Sequence, residues 1–142
     1  MEKNAMFQRF VAFTAAVHQL THDMTKDLAF EATSPLQYKI LEYIFVSQPV
    51  TLSEISDCMH MSMPNTSREL KKLSEKQLCE KLTDLEDRRK QFIRLSEKGT
   101  AMMSEAFQHL ELGFVKRIEG ISQQELQEIE HALDLLHSKV FY

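Results

Sequence analysis

Three consecutive basic residues, Arg88, Arg89 and Lys90, concentrate positive charge in one short stretch of the sequence. Guanidinium and ammonium groups at this spacing are suited to binding phosphate or carboxylate oxygens. Residues 60–99 carry 10 Lys and Arg against 7 Asp and Glu, although the 142-residue chain has a formal charge of −4. A net positive charge is therefore confined to this region, and a negatively charged partner is expected to bind there.

These basic residues lie between two segments, residues 78–84 and 90–96, that alternate polar and apolar side chains. Such alternation is typical of half-buried strands, so the sequence predicts a β-hairpin with a basic tip. Residues 62–78, just before it, have helical periodicity, with Thr66, Leu70 and Leu73 on one side and polar residues on the other. A short helix from about residue 51, capped by Thr51, and a turn at residues 60–61 come first. Helix, turn, helix and hairpin in this order predict a winged helix-turn-helix.

The second helix of this pair has polar residues at its N-terminal end, where a helix that enters the major groove of DNA contacts bases and phosphates. Ser62 can cap this helix, and Pro64 is tolerated in its first turn. A solvated helix face would show the same pattern, but the basic hairpin directly after it favours DNA binding. The predicted DNA-contacting residues are Ser62, Pro64, Asn65, Thr66, Ser67, Arg68, Lys71, Lys72, Arg88, Arg89 and Lys90.

The hairpin resembles the wing of MarR-type transcriptional regulators, which has a pattern close to D-x-R-x-x-x-x-x-L-[ST]-x-x-G. The matching residues are Asp87, Arg89, Leu95, Ser96 and Gly99. The segment PNTSRELKKL is similar to the recognition helix of that family, and the resemblance covers essentially the whole chain. Ser96 stands where Thr is commoner, and either hydroxyl can cap the helix that follows. Gln77 stands where Gly usually ends the recognition helix, so a non-Gly residue must supply a left-handed cap there or the helix must end differently.

The resemblance implies that Arg89 enters the minor groove, where a planar and weakly hydrated guanidinium is favoured by the negative potential. A carboxylate beside DNA is repelled, so we expect Asp87 to orient a neighbouring arginine of the wing. Arg88 and Lys90 are expected to contact phosphates, which adds affinity without sequence information.

Long amphipathic segments flank the winged unit on both sides. Apolar residues recur at helical spacing from Phe7 to Leu28, and again after Ser122 at near-heptad spacing, for example Ile129 and Leu133. Because one small winged unit cannot cover these stripes, we expect a homodimer; a monomeric bundle is the alternative. The predicted fold is mostly α with a small β-hairpin wing: a winged helix-turn-helix unit, residues 34–99, flanked by long N- and C-terminal dimerisation helices, residues 1–33 and 100–142.

Three inputs could control such a protein. A small aromatic or anionic effector could enter a cleft lined by Phe10, Phe13, Tyr38 and Phe107, although aromatic residues at helical spacing also form ordinary core. His18 and His22 have the spacing of metal ligands, but no third ligand is evident, so surface histidines are favoured and no cofactor is predicted. Cys58 and Cys79 are expected to be reduced, packed thiols rather than an oxidation switch.

The sequence also excludes several classes of protein. Its three glycines form no phosphate-binding loop, and no nucleophile stands in a recognisable motif, so we expect no enzyme activity. A charged N-terminus and the absence of a long apolar run favour a cytoplasmic protein that is not in the membrane.

The expected function is sequence-specific binding of double-stranded DNA, with repression at a pseudo-palindromic operator by an effector-modulated homodimer. The alternative is a winged-helix protein-interaction module that does not bind DNA.

Overall fold

A computed structural model of the chain describes residues 2–26, 28 and 33–142. The helices are α1 (Lys3–Thr25), α2 (Pro35–Ser47), α3 (Leu52–Met59), α4 (Met63–Glu75), α5 (Glu97–Arg117) and α6 (Gln123–Lys139). The strands are β1 (Val50–Thr51), β2 (Cys79–Thr83) and β3 (Gln91–Leu95). None of the helices among these residues is both long and apolar enough to cross a lipid bilayer. The mostly helical fold with a β-hairpin wing, predicted from sequence, is confirmed.

The chain divides into two compact units, residues 1–108 and 109–142. The first contains a core to which α2, α3, α4, the sheet and the start of α5 all contribute. Among its fully buried side chains are Ile40, Ile44, Ile55, Leu73 and Met103. The second unit contains the end of α5 and the whole of α6, whose side chains are largely exposed in the single chain.

Hydroxyl side chains begin the helices of the winged unit, and those of Thr51 and Ser62 are the predicted caps. The Ser34 hydroxyl accepts a hydrogen bond from the Gln37 N–H, and Pro35 follows as the first helical residue of α2. Thr51 and Glu54 form the predicted capping box of α3, and Ser62 caps α4. Because these caps satisfy N–H groups that have no partner within the helix, they fix where each helix starts.

The sheet has three antiparallel strands in the order β1-β3-β2, one more than the predicted hairpin. Val50 pairs with Ile93 and Thr51 with Phe92, so the segment before α3 forms an edge of the same sheet. The sequence indicates only a helix break at this point, because a strand of two residues is too short to show alternation. We use "wing" for residues 79–95, which comprise β2, β3 and the turn between them.

Two of the residues that the structure describes have left-handed backbone conformations, and both lie at helix ends. His60, after α3, has a φ of 54°, and Gln77, after α4, has a φ of 62°. The predicted left-handed cap is therefore made by a non-glycine residue at Gln77. The Gln77 carbonyl accepts a hydrogen bond from the Ser96 hydroxyl at 2.6 Å, and that hydroxyl accepts one from the Gly99 N–H at 3.0 Å. Ser96 thus caps α5 as predicted and ties the end of α4 to the end of the wing.

Gly99, in the first turn of α5, lies against the backbone of Leu78. A Cβ at this position would overlap the Leu78 carbonyl oxygen. That carbonyl accepts a hydrogen bond from the Ser96 N–H at 3.0 Å, so it has little freedom to move. Only glycine allows α5 to start this close to the residue that leads from α4 into β2.

Candidate nucleic-acid interface

The exposed side of α4 carries the polar residues that the sequence assigns to DNA. Nη1 of Arg68 donates a hydrogen bond of 2.7 Å to Oδ1 of Asn65, one turn earlier on the same face. This bond fixes the direction of the guanidinium and leaves its other N–H groups available to a ligand. The side chains that the structure places on the exposed surface of this helix and its cap are Ser62, Pro64, Asn65, Ser67, Arg68, Lys71 and Lys72.

Thr66 is the exception, and its predicted contact with DNA is wrong. Its side chain is 0% exposed. Its hydroxyl donates to the Ser62 carbonyl at 2.9 Å and accepts a bond from the Ser56 hydroxyl at 2.9 Å. Thr66 follows the helical periodicity that places it on the side of Leu70 and Leu73. It therefore packs α4 onto α3 and cannot touch a ligand in solution.

The side chain of Gln37 on α2 holds α4 in position. Nε2 of Gln37 donates to Oε2 of Glu69 at 3.1 Å, and Nζ of Lys72 lies 3.4 Å from the other oxygen of that carboxylate. The hydrogen bond from Gln37, and then those from Lys72, lower the pKa of Glu69. Nζ of Lys76 donates to Oε1 of Gln37 at 2.8 Å. This buried amide was not predicted, since sequence spacing does not reveal which side chains meet between helices.

The wing presents Arg89 at its tip with a fixed geometry. Oδ1 of Asp87 accepts from Arg89 Nε at 3.1 Å and from the Arg89 backbone N–H at 3.0 Å, and Oδ2 accepts from Nη2 at 3.3 Å. The Arg89 side chain is nevertheless 91% exposed. These bonds from Arg89, the side-chain bond first, lower the pKa of Asp87. The contact expected between Asp87 and a neighbouring arginine is present, and Arg88 and Lys90 are also exposed.

Arg94 does not belong to the same positive surface as Arg88, Arg89 and Lys90. It pairs across the sheet with Glu80, and its Nε lies 2.6 Å from Oε1 of that residue. Side chains alternate along each strand, so this ion pair lies on one side of the sheet and Cys79 and Ile93 lie on the other. The charge of Arg94 is therefore compensated locally and faces away from α4.

The structure also shows two polar residues beside α4 that sequence reasoning missed. Lys81 on β2 and Gln91 on β3 are exposed, and both share the lining of one small cavity with Ser67 of α4. The strand alternation contains the signal, because Lys81 lies opposite Ile93 on the side of the sheet that packs against α4. The same alternation that predicts the strands also places Lys81 beside α4.

A cavity of about 530 Å³ lies among residues of α1 and α2 and of the segments that follow α1 and precede α2. Tyr38 lines it, whereas Phe10, Phe13 and Phe107 do not. The Phe107 ring packs edge-on against Phe45 with centroids 4.8 Å apart, which agrees with the alternative of ordinary core packing. Burial, followed by the charge of Glu42 and a hydrogen bond with it, raises the pKa of Tyr38 to about 12. Two lysines, Lys26 and Lys39, and the carboxylate of Glu42 also line this cavity.

The candidate metal and redox residues have different surroundings. His18 and His22 are exposed, and the part of the chain that the structure describes contains no group of three or more His, Cys, Asp and Glu that could hold a metal ion. Cys79 is buried, and burial raises the pKa of its thiol. Cys58 is exposed, so the prediction that both thiols are packed is wrong for this residue. It lies on the outer side of α3, and this helix is too short for its periodicity to show which side chains are buried.

Comparisons with known proteins agree with this architecture. The model of the MarR family matches residues 33–90. An uncharacterized HTH-type transcriptional regulator of Staphylococcus aureus is 33% identical over 104 residues, and the match covers 71% of this chain and 70% of the relative. A MarR family protein from Bacillus stearothermophilus is 20% identical, with a TM-score of 0.78 over 100% of this chain and 99% of its own. Streptococcus pneumoniae FabT, solved in complex with DNA, is 20% identical, with a TM-score of 0.69 over 93% of this chain and 95% of its own. The chain belongs to the MarR family of winged helix-turn-helix transcriptional regulators.

Proposed function

We propose that the protein acts as a homodimeric repressor, which binds an imperfectly palindromic operator and is released or tuned by a small effector. The observation that carries the proposal is the presence of two positioned arginines, Arg68 on α4 and Arg89 at the wing tip. Each is exposed, and each is held by a neighbouring oxygen before any ligand binds. Fixed donors lose less conformational entropy on binding than freely rotating ones.

The chemistry of the two arginines suits different grooves of the duplex. Arg68, with Asn65 and Ser67 beside it, can reach base edges or phosphates from the major groove. Arg89 can enter the adjacent minor groove, and there it reads groove width. The exposed residues Lys71, Lys72, Arg88 and Lys90 then supply phosphate contacts.

Exposed apolar side chains on the terminal helices support the proposed dimer. Phe7 and Val11 of α1 are exposed in the single chain, as are Ile129 and Leu133 of α6. Apolar stripes of this length on a monomer favour association, and a two-fold axis would bury the same helices of both copies. Two related copies of α4 would then reach half-sites about 34–36 Å apart.

The cavity beside Tyr38 supports the proposed small aromatic or anionic effector. Its volume lies in the range of pockets that bind drug-sized molecules, roughly 300–1,000 Å³. Tyr38 offers an aromatic face, and Lys26 and Lys39 offer charge for a carboxylate. Benzoate should raise the melting temperature of the protein more than benzyl alcohol, and Lys39→Gln should remove the difference.

A selection of genomic DNA fragments by the purified protein, followed by footprinting and light scattering, tests the main proposal. We expect salt-dependent binding to a duplex with two protected half-sites, by a particle of twice the chain mass. Protection of a single half-site, or a monomer at micromolar concentration, would contradict the dimeric operator complex. Absence of duplex binding would instead favour the protein-interaction module.

A further inference from the structure

The crevice between α4 and the wing contains a cation, Lys81, that forms no ion pair with a carboxylate of the described residues. Lys81 is exposed on β2, and it lines a cavity of about 40 Å³ together with Ser67 and Gln91. The residues described by the structure form three ion pairs, and these involve Lys72, Arg89 and Arg94. The carboxylate next to Lys81 in sequence, Glu80, points to the other side of the sheet and is bound by Arg94.

The position of this crevice follows from the register of the wing. Lys81 lies opposite Ile93, and Thr83 lies opposite Gln91. Partners in an antiparallel pair lie on the same face of the sheet, and so do alternate residues of one strand. Lys81 and Gln91 therefore share a face with Ile93 and Leu95, which are buried in the core with residues of α4. The polar side chains of Ser67, Lys81 and Gln91 therefore line the crevice between the recognition helix and the wing, together with the apolar residues Leu52, Leu70 and Ile93.

We propose that Lys81, assisted by Gln91 and Ser67, binds one phosphate of the DNA backbone in this crevice. The inference rests on the proposed function: with α4 in the major groove and Arg89 in the minor groove, one sugar-phosphate strand separates the two grooves and must cross the crevice. An ammonium group and two neutral hydrogen-bonding groups suit a singly charged phosphodiester. The cavity itself is too small to enclose a phosphate group, so the phosphate lies at its mouth.

Lys81→Gln and Arg94→Gln form a matched pair of variants that tests the proposal. Both remove one positive charge from an exposed position of neighbouring strands, but Arg94 lies on the opposite face of the sheet. Binding of an operator duplex is measured by fluorescence anisotropy at several salt concentrations. Lys81→Gln should weaken binding about tenfold and lower the slope of log K against log salt by about one unit, equally for all sequences. Arg94→Gln should leave the slope unchanged, and Lys81→Arg should retain the wild-type slope.

A duplex with one neutral methylphosphonate in place of a backbone phosphate locates the contact. The neutral linkage is placed at each position of the half-site in turn. At one position it should weaken binding by the wild type but have no further effect on binding by Lys81→Gln. Equal slopes for wild type and Lys81→Gln, or equal losses in Lys81→Gln and Arg94→Gln, would overturn the crevice site while the proposed function stands. A wild-type protein that binds no duplex would overturn the proposed function as well.

Discussion

Nε2 of Gln37 donates a hydrogen bond to Oε2 of Glu69 across 3.1 Å, which joins the first turn of α2 to the middle of the recognition helix. The Gln37 side chain is 6% exposed, and its oxygen accepts bonds from the Ser34 N–H and from Nζ of Lys76. One buried amide thus links the start of α2 to Glu69 in the middle of α4 and to Lys76, the residue that follows α4. This arrangement fixes how far α4 protrudes from the rest of the winged unit.

Replacement of Gln37 by Met should lower the free energy of unfolding by about 1–3 kcal/mol. Met has a similar length but forms none of the three hydrogen bonds, and it leaves partly buried partners without them. Urea denaturation followed by circular dichroism measures the change. Gln124→Met on the exposed side of α6 is the control, and it should have little effect. An unchanged midpoint for Gln37→Met would show that the amide contributes nothing to stability.

Glu69 should make the protein more stable at neutral pH than in acid. Its pKa is lowered from the ordinary value of 4.5 by the bond from Gln37 and by Lys72, so the folded state favours the ionised form. The resulting stability is fully present above about pH 4.5 and is lost as the pH falls through the lowered pKa. Denaturation curves between pH 7 and pH 3 should therefore show a smaller acid loss for Glu69→Gln than for the wild type. Parallel curves would contradict this linkage.

Gln77→Gly should stabilise the protein by about 0.5–1 kcal/mol. The φ of 62° at Gln77 strains a residue that has a Cβ, whereas glycine adopts it freely, and the gain exceeds the entropy that glycine adds to the unfolded chain. Thermal melting measures the shift. Gln108→Gly in α5 is an informative control, because the same exchange in a right-handed helix should be destabilising by a similar amount. Destabilisation by both substitutions would disprove the strain at Gln77.

Asp87→Asn separates the positioning of Arg89 from simple charge effects. Removal of a negative charge from the wing should strengthen DNA binding if only the net charge mattered. If Asp87 acts by orienting Arg89, the loss of the paired carboxylate oxygens should weaken binding severalfold despite the more favourable charge. Binding isotherms at constant salt decide between the two results, and Glu86→Gln, an exposed carboxylate on the same turn, provides the charge control.

Local sequence signals predicted the elements that carry the interface, and the structure changes them by a few residues. Helical periodicity located α4, and strand alternation located β2 and β3, because in each the apolar side must face one core. The caps at Ser34, Thr51 and Ser62 were equally readable, since the donor and acceptor lie only three residues apart.

Contacts between distant residues could not be predicted in the same way. The bond from Gln37 to Glu69 joins residues 32 apart, and the ion pair of Glu80 with Arg94 depends on the exact register of the hairpin. Thr66 is a different case: helical periodicity already places its hydroxyl on the side of Leu70 and Leu73, and its burial against Ser56 agrees with that position and excludes the predicted contact.

The two-residue strand β1 connects the wing to α3. It runs directly into α3 and pairs with β3, which is the central strand and is paired on its other edge with β2. Amide protons of β3 should therefore exchange with solvent only when the whole unit opens, whereas those of the turn beyond Thr83 should exchange by local fraying. The pairs of β1 with Phe92 and Ile93 therefore tie the base of the wing to the first turn of α3, and we expect motion of the wing to be confined to its tip.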